Sequence, residues 1–180
     1  QWQSDLEKAV CFEPSHISCY SLTIEQGTPL AQLVQKKRIQ IKSSDAITEF
    51  FKTTSRYLNE NGYDHYEISN YAKGRKNYSR HNSGYWDRKP YIGFGPGAHS
   101  FDGRIRSWNP DNFKQWVCQV EAGSRLPENS EILTKDQAVL ETIMLRLRCA
   151  KGLDLKTFKS EFGISFKDRF YTLVKQIVSE

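Results

Sequence analysis

Six consecutive residues, His81-Asn82-Ser83-Gly84-Tyr85-Trp86, gather a histidine, an asparagine and two large aromatics. A glycine-rich run follows them, Gly93-Phe94-Gly95-Pro96-Gly97-Ala98-His99-Ser100. A neutral imidazole offers a nitrogen that can ligate a metal near neutral pH, aromatic faces stack on a flat ligand, and glycines let backbone approach closely. The chemistry on offer is recognition of a planar group, with His81 as candidate metal ligand and Tyr85 or Trp86 as the stacking surface. A plainer reading stays open, in which His81 bonds a loop while Tyr85 and Trp86 fill a core.

Other arrangements are weaker. The spacing of Gly93, Gly95 and Gly97 is not the dinucleotide G-x-G-x-x-G, and Pro96 removes an amide donor where a phosphate cradle needs one. A close strand crossing that needs small residues explains these glycines at least as well. His16 and His99 could join His81 around zinc, but they lack the local ligand spacing such a site wants. Glu67 could orient an imidazole, although a cross-strand pair is the simpler role, and His65 reads as a surface or half-buried strand residue.

Four runs, taken together, carry a resemblance. They are His16 to Pro29, Tyr66-Glu67-Ile68-Ser69-Asn70-Tyr71-Ala72, the hexapeptide, and Tyr91 to Ser100. In this order they resemble radical S-adenosylmethionine proteins related to oxygen-independent coproporphyrinogen III oxidase, and especially the branch that includes the haem chaperone. The resemblance continues weakly into the helices after Thr134. It implies a C-terminal piece of a longer protein, beginning near the end of a barrel.

Proteins of that family hold a [4Fe–4S] cluster on a Cys-x3-Cys-x2-Cys loop. Here Cys11, Cys19, Cys118 and Cys149 stand no closer than eight residues apart, so no loop presents three thiolates. The resemblance therefore assigns S-adenosylmethionine and [4Fe–4S] only to a full-length protein, and this chain alone is expected to run no radical chemistry. What it implies for the chain itself is a haem or porphyrin ligand. In the chaperone branch the pattern His-Asn-x-x-Tyr-Trp is associated with haem, which makes His81 the expected ligand to iron and adds Asn82, Ser83, Tyr85 and Trp86 as ligand contacts. By the same resemblance Phe94, Gly95 and Ala98 lie near the adenosine of the cofactor. The implied function is haem binding and delivery to a respiratory haem protein, the alternative being oxidative decarboxylation of coproporphyrinogen III by the whole protein.

The composition is compatible with this. Hydrophobic and charged fractions of 38% and 26% are those of a soluble globular chain, and no apolar run approaches a bilayer span. Scattered cysteines suit a reducing cytoplasm. The net charge of +5 raises nucleic acid or an interaction module as another class. Its bases are dispersed among acids, as on a solvated face, which disfavours nucleic acid. The cluster from Arg75 to Lys89 straddles the hexapeptide and suits a ligand with several carboxylates, such as a tetrapyrrole with propionate arms.

The elements that must position these residues read as α+β. The expectation is the C-terminal part of a partial (β/α) barrel with added antiparallel strands over 1–123, then a small helical, winged-helix-like module over 134–180. Ser4 and Glu7 suggest a capping box for a helix ending near Val10. His16–Ile24 reads as a strand covered on both sides, as in a parallel sheet. Thr28-Pro29 opens a helix with Leu30, Leu33 and Val34 inward, and a longer one follows over Asp45–Asn59 with Ile47, Phe50, Phe51, Thr54, Tyr57 and Leu58 on one face. Gly62 ends it, and a strand over Tyr63–Ile68 completes a crossover unit. Tyr20, at the first strand's end, could face a ligand, with packing the simpler role.

Lys73–Asn82 reads as a loop. Short strands are expected at Tyr91–Phe94, Ala98–Phe101 and Arg104–Trp108, the last two joined by a primed turn at Asp102-Gly103. Asn109-Pro110 is expected to cap a helix carrying Phe113, Trp116, Val117 and Val120, and the polar stretch Ser124–Ile132 to mark a boundary. Thr134 and Gln137 form a second capping box, opening a helix with Ile143, Met144 and Leu147 inward. Leu155–Phe162 and a last helix from Ser165, with Phe166, Phe170, Leu173, Val174 and Ile177 on one face, complete the module.

Overall fold

A computed structural model describes residues 1–123 and 129–179. The chain is α+β, as its patterning suggests, and forms two compact units, Gln1–Tyr78 and Ser79–Glu180.

In the first unit, α1 (Trp2–Cys11), β1 (His16–Ser18), α2 (Pro29–Gln35), α3 (Ser44–Glu60), β2 (Asp64–Glu67) and β3 (Asn70–Ala72) follow one another. Ser4 lies inside α1 rather than capping it, because the helix is fixed one turn earlier, where the Trp2 indole donates to Thr54 Oγ1 at 2.8 Å. The Thr28 hydroxyl accepts from the Ala31 amide at 3.2 Å and Pro29 takes the first helical position of α2, which is the local chemistry a Thr-Pro start provides. Gly62, at φ +81°, follows α3.

The expected parallel sheet is not what forms. Every pairing among the described strands is antiparallel, and the first sheet has the order β1-β3-β2. β1 and β2 run in the same direction, as a crossover requires, but β3 inserts between them after a tight reversal at Ile68-Ser69. Leu6, Leu58, Tyr63 and Tyr71 form the core against Trp2, Val10, Ile17, Cys19 and Tyr57, and the Tyr63 hydroxyl donates to Pro14 O at 2.7 Å. Only the second half of the α3 stripe is buried. Thr54 and Leu58 are inside, whereas Ile47, Phe50 and Phe51 line an open apolar cavity of about 370 Å³, as does Tyr20.

The second unit contains α4 (Arg80–Trp86), β4 (His99–Phe101), β5 (Ile105–Trp108), α5 (Phe113–Glu121), β6 (Asn129–Ile132), α6 (Lys135–Arg146), α7 (Leu155–Phe162) and α8 (Phe166–Ser179). Its sheet has the order β4-β5-β6. The Asp102-Gly103 hairpin forms by a different turn. Only Gly103 has positive φ, and the Asp102 carboxylate accepts from the amides of Arg104 at 2.8 Å and Ile105 at 2.6 Å. The cap of α5 is Asn112, two residues past the expected Pro110, with its side chain accepting from the Gln115 amide.

In the segment expected to be a boundary, 124–128 lie outside the described residues, and Asn129–Ile132 is strand β6 paired with β5. The Thr134–Gln137 capping box closes reciprocally at the start of α6. The buried face of α6 is Val139 and Thr142, with Met144 and Leu147 exposed; Val139 packs with Phe158 and Phe162 of α7. Phe166 and Phe170 of α8 join that core, whereas Leu173, Val174 and Ile177 are exposed. Gly163, at φ +66°, supplies the left-handed C-cap between α7 and α8.

Candidate functional site

The hexapeptide is a helix, not the end of a loop. The Ser79 hydroxyl caps α4 by accepting from the Asn82 amide at 3.2 Å, and the Ser83 amide donates to Ser79 O at 3.0 Å. Four-residue spacing then puts His81 and Tyr85 on one face. His81 is exposed, and its ring stands edge-on to Tyr85 with centroids 4.8 Å apart. Tyr85 stands edge-on to Tyr91 at 4.7 Å, and Tyr91 reaches Phe101 at 6.2 Å. The backbones of Tyr91 and Phe101 exchange two hydrogen bonds, at 2.8 and 2.9 Å. A row of rings therefore runs from an exposed imidazole to Phe101, which is buried.

Asn82 and Ser83 are half-buried on α4, and Trp86 points elsewhere than Tyr85. The Trp86 ring lies under the Arg148 guanidinium at 5.3 Å, and its Nε1 is buried without a hydrogen-bond partner. Of the five residues expected around a planar ligand, the fold joins His81 and Tyr85 in one ring contact and gives Trp86 another neighbour.

The glycine-rich run is built by close approach. A Cβ on Gly93 would lie 2.2 Å from the carbonyl oxygen of His99, so only glycine fits the crossing. Gly95 adopts φ +99° and its carbonyl accepts from Asn109 Nδ2 at 2.8 Å, while the Gly97 amide donates to Pro110 O at 2.8 Å and the Ala98 carbonyl accepts from the Asn109 amide at 3.0 Å. Phe94 is 89% exposed, and Ala98 is half-buried.

His16 and His99 each have a partner of their own. His16 Nε2 bonds the Tyr66 hydroxyl at 2.9 Å in the first unit, and His99 stacks on its cross-strand partner Trp108 at 5.7 Å in the second. Among the described residues no three His, Cys, Asp or Glu side chains gather as a metal site. Glu67 is buried and its Oε1 accepts from the side-chain Nδ2 of its cross-strand partner Asn70. His65, half-buried, accepts or donates to Ser55 and stacks on Tyr71.

The sequence reading missed an arginine cluster. Arg88, counted there among dispersed bases, has a side chain only 10% exposed, pairs with Glu141 at 3.0 Å and Glu161 at 3.4 Å, and sits 5.4 Å from the Phe101 ring. Arg106 shares Glu141 and Phe101, and Arg146 pairs with Asp87. Separations of 53 and 35 residues hide Glu141's partners from any local pattern. Arg80 and Lys89, at the two ends of α4, are exposed.

The residues present suit one family cofactor and not the other. An exposed imidazole backed by aromatic edges is a donor that haem iron accepts. No loop presents closely spaced cysteines, and burial pushes the Cys19 thiol up, away from the thiolate a cluster needs.

The family model described as HemN C-terminal domain matches residues 133–180. The chain is similar to the haem chaperone HemW of Bacillus subtilis, 30% identical over 99% of this chain and 47% of the relative. It is 39% identical to the haem chaperone HemW of Buchnera aphidicola subsp. Schizaphis graminum over 89% of this chain and 42% of the relative. A radical S-adenosyl methionine domain-containing protein 1 of Danio rerio mitochondria is 32% identical over 84% and 36%. The chain thus spans about half the length of the curated relatives it matches. Among solved structures, coproporphyrinogen III oxidase (HemN) from Escherichia coli shares the fold, with a TM-score of 0.67 at 18% identity over 94% of this chain and 42% of that one. The chain belongs to the HemN/HemW-like family of radical S-adenosylmethionine proteins.

Proposed function

We propose that this chain is the haem-handling part of a HemW-like protein, with His81 the axial ligand to haem iron and Tyr85 the surface against which the macrocycle rests. The observation that carries the reading is the exposed His81 ring held edge-on by Tyr85 on a capped helix. A neutral imidazole supplies iron with a nitrogen ligand, and an aromatic neighbour restricts the ring's rotation while adding apolar area. Asn82 and Ser83 offer hydrogen bonds to ligand carboxylates, and the exposed Arg80 and Lys89 offer charge to propionates. Phe94, Gly95 and Ala98 belong, on this reading, to the wall that meets S-adenosylmethionine in the full-length protein. The [4Fe–4S] cluster comes from a part of that protein with closely spaced cysteines.

A ligand held by one exposed helix is accessible to a recipient, which suits delivery to a respiratory haem protein in the cytoplasm or at a membrane face. Among the described residues no helix is long and apolar enough to cross a membrane. The likeness to haem chaperones favours this over coproporphyrinogen decarboxylation, which needs thiolate-held iron and sulfur. Haem titration followed by the Soret band tests it. A saturable shift in the parent that His81→Ala loses supports the assignment, and an identical shift in both proteins overturns it.

A further inference from the structure

Helix α4 is seven residues long and none of its side chains is fully buried, so neither its length nor its own burial holds it in place. Its ties to the helices that follow lie at its C-terminal end. Asp87 pairs with Arg146, the Trp86 ring lies under Arg148, and Arg88 meets Glu141, Thr142 and Glu161. All these partners fall within residues 133–180. Arg88 also has φ +52°, a conformation that surrounding contacts must enforce on a residue with a Cβ.

One carboxylate joins the pieces. Glu141 Oε2 accepts from Arg88 Nε at 3.0 Å, and its Oε1 accepts from Arg106 Nη2. The two guanidinium groups lie 5.4 and 5.6 Å from the same Phe101 ring. Phe101 is the inner end of the row that runs through Tyr91 and Tyr85 to His81. Glu141 therefore fixes the exit of α4 and the strand behind it to a common point.

We propose that Glu141 and Arg88 are positioning residues, through which the C-terminal helical domain sets the orientation of the His81 helix and so tunes haem affinity. The part concerning haem rests on the function proposed above, whereas the clamp itself can be read without ligand. Loosening the clamp frees α4 without removing any group that touches haem. This gives the C-terminal domain a way to favour haem release.

Amide hydrogen exchange of the parent, Glu141→Gln, Arg88→Gln and the double variant separates the two parts. Each single variant should speed exchange over residues 80–89 by about tenfold, as expected for losing a charged hydrogen bond, with residues 155–162 changed by less than about twofold. The double variant should be no faster than either single one, and Arg88→Lys should restore part of the protection. Haem affinity should fall with α4 protection, and the Soret maximum should shift, in the same order of variants. Unchanged exchange over residues 80–89 in Glu141→Gln overturns the clamp. Faster exchange with unchanged haem affinity overturns the positioning role, whereas a parent that binds no haem overturns the function proposed above and leaves the clamp to stand on the exchange result.

Discussion

The ring of His81 meets the ring of Tyr85 at 88°, with centroids 4.8 Å apart and one helical turn between them. An edge-on pair of this kind orients the imidazole through ring packing rather than through a hydrogen bond. Replacing Tyr85 by Leu should therefore keep the His81 ligand but loosen it. Haem affinity should fall about three- to tenfold, the range of one aromatic pair, with a Soret maximum still distinct from that of His81→Ala. Equal spectra for the two variants would overturn the expectation that His81 stays on the iron when Tyr85 is gone.

Gly93 admits no side chain, since a Cβ would sit 2.2 Å from the His99 carbonyl oxygen. Both sides of that contact are backbone, so neither can swing aside. Gly93→Ala should cost about 2 kcal/mol or more, the upper part of the overpacking range, measured as a lowered urea midpoint. A variant as stable as the parent would show that the crossing relaxes in solution.

Tyr71 gives the first unit a dependence on alkaline pH. Burial raises its hydroxyl well above the ordinary tyrosine range, with the charges of Cys19 and Glu67 adding to the effect. The unfolded chain releases this proton near pH 10, so the folded state binds more protons above that point. The stabilisation is complete below about pH 10 and is lost as pH rises further toward the folded value. The urea midpoint should fall between pH 9 and 11 by more in the parent than in Tyr71→Phe, both pH values being chosen to bracket the free tyrosine range of about 10. Parallel pH profiles would remove Tyr71 from the account.

The capping box at Thr134 should behave as a local device. Its hydroxyl accepts from the Gln137 backbone amide at 3.2 Å, and the Gln137 side-chain Oε1 accepts from the Thr134 backbone amide at 2.8 Å. Thr134→Ala should cost about 1 kcal/mol and Thr134→Ser much less, read from chemical denaturation of the chain. A loss as large for serine as for alanine would assign the effect to the methyl group instead.

The sequence by itself determined the features that depend on near neighbours. Thr28, Thr134 and Gly163 mark helix ends because their side chain, or lack of one, satisfies backbone groups three or four residues away. The stripe of α3 follows from the same short reach, and the hexapeptide stood out by residue type alone. What lay beyond it was decided by pairing across the chain. β3 takes its place between β1 and β2, and the polar β6 becomes a strand by pairing with β5; neither carries a periodic pattern that foretells it. Which half of an apolar stripe is covered, as with Leu58 against Phe50, depends on what packs there and not on the stripe. Likewise the bases near the hexapeptide look alike in sequence, but only the tertiary structure buries Arg88 against Glu141 while leaving Arg80 exposed. Charge is a property of the residue, whereas its desolvation and pairing are properties of the fold.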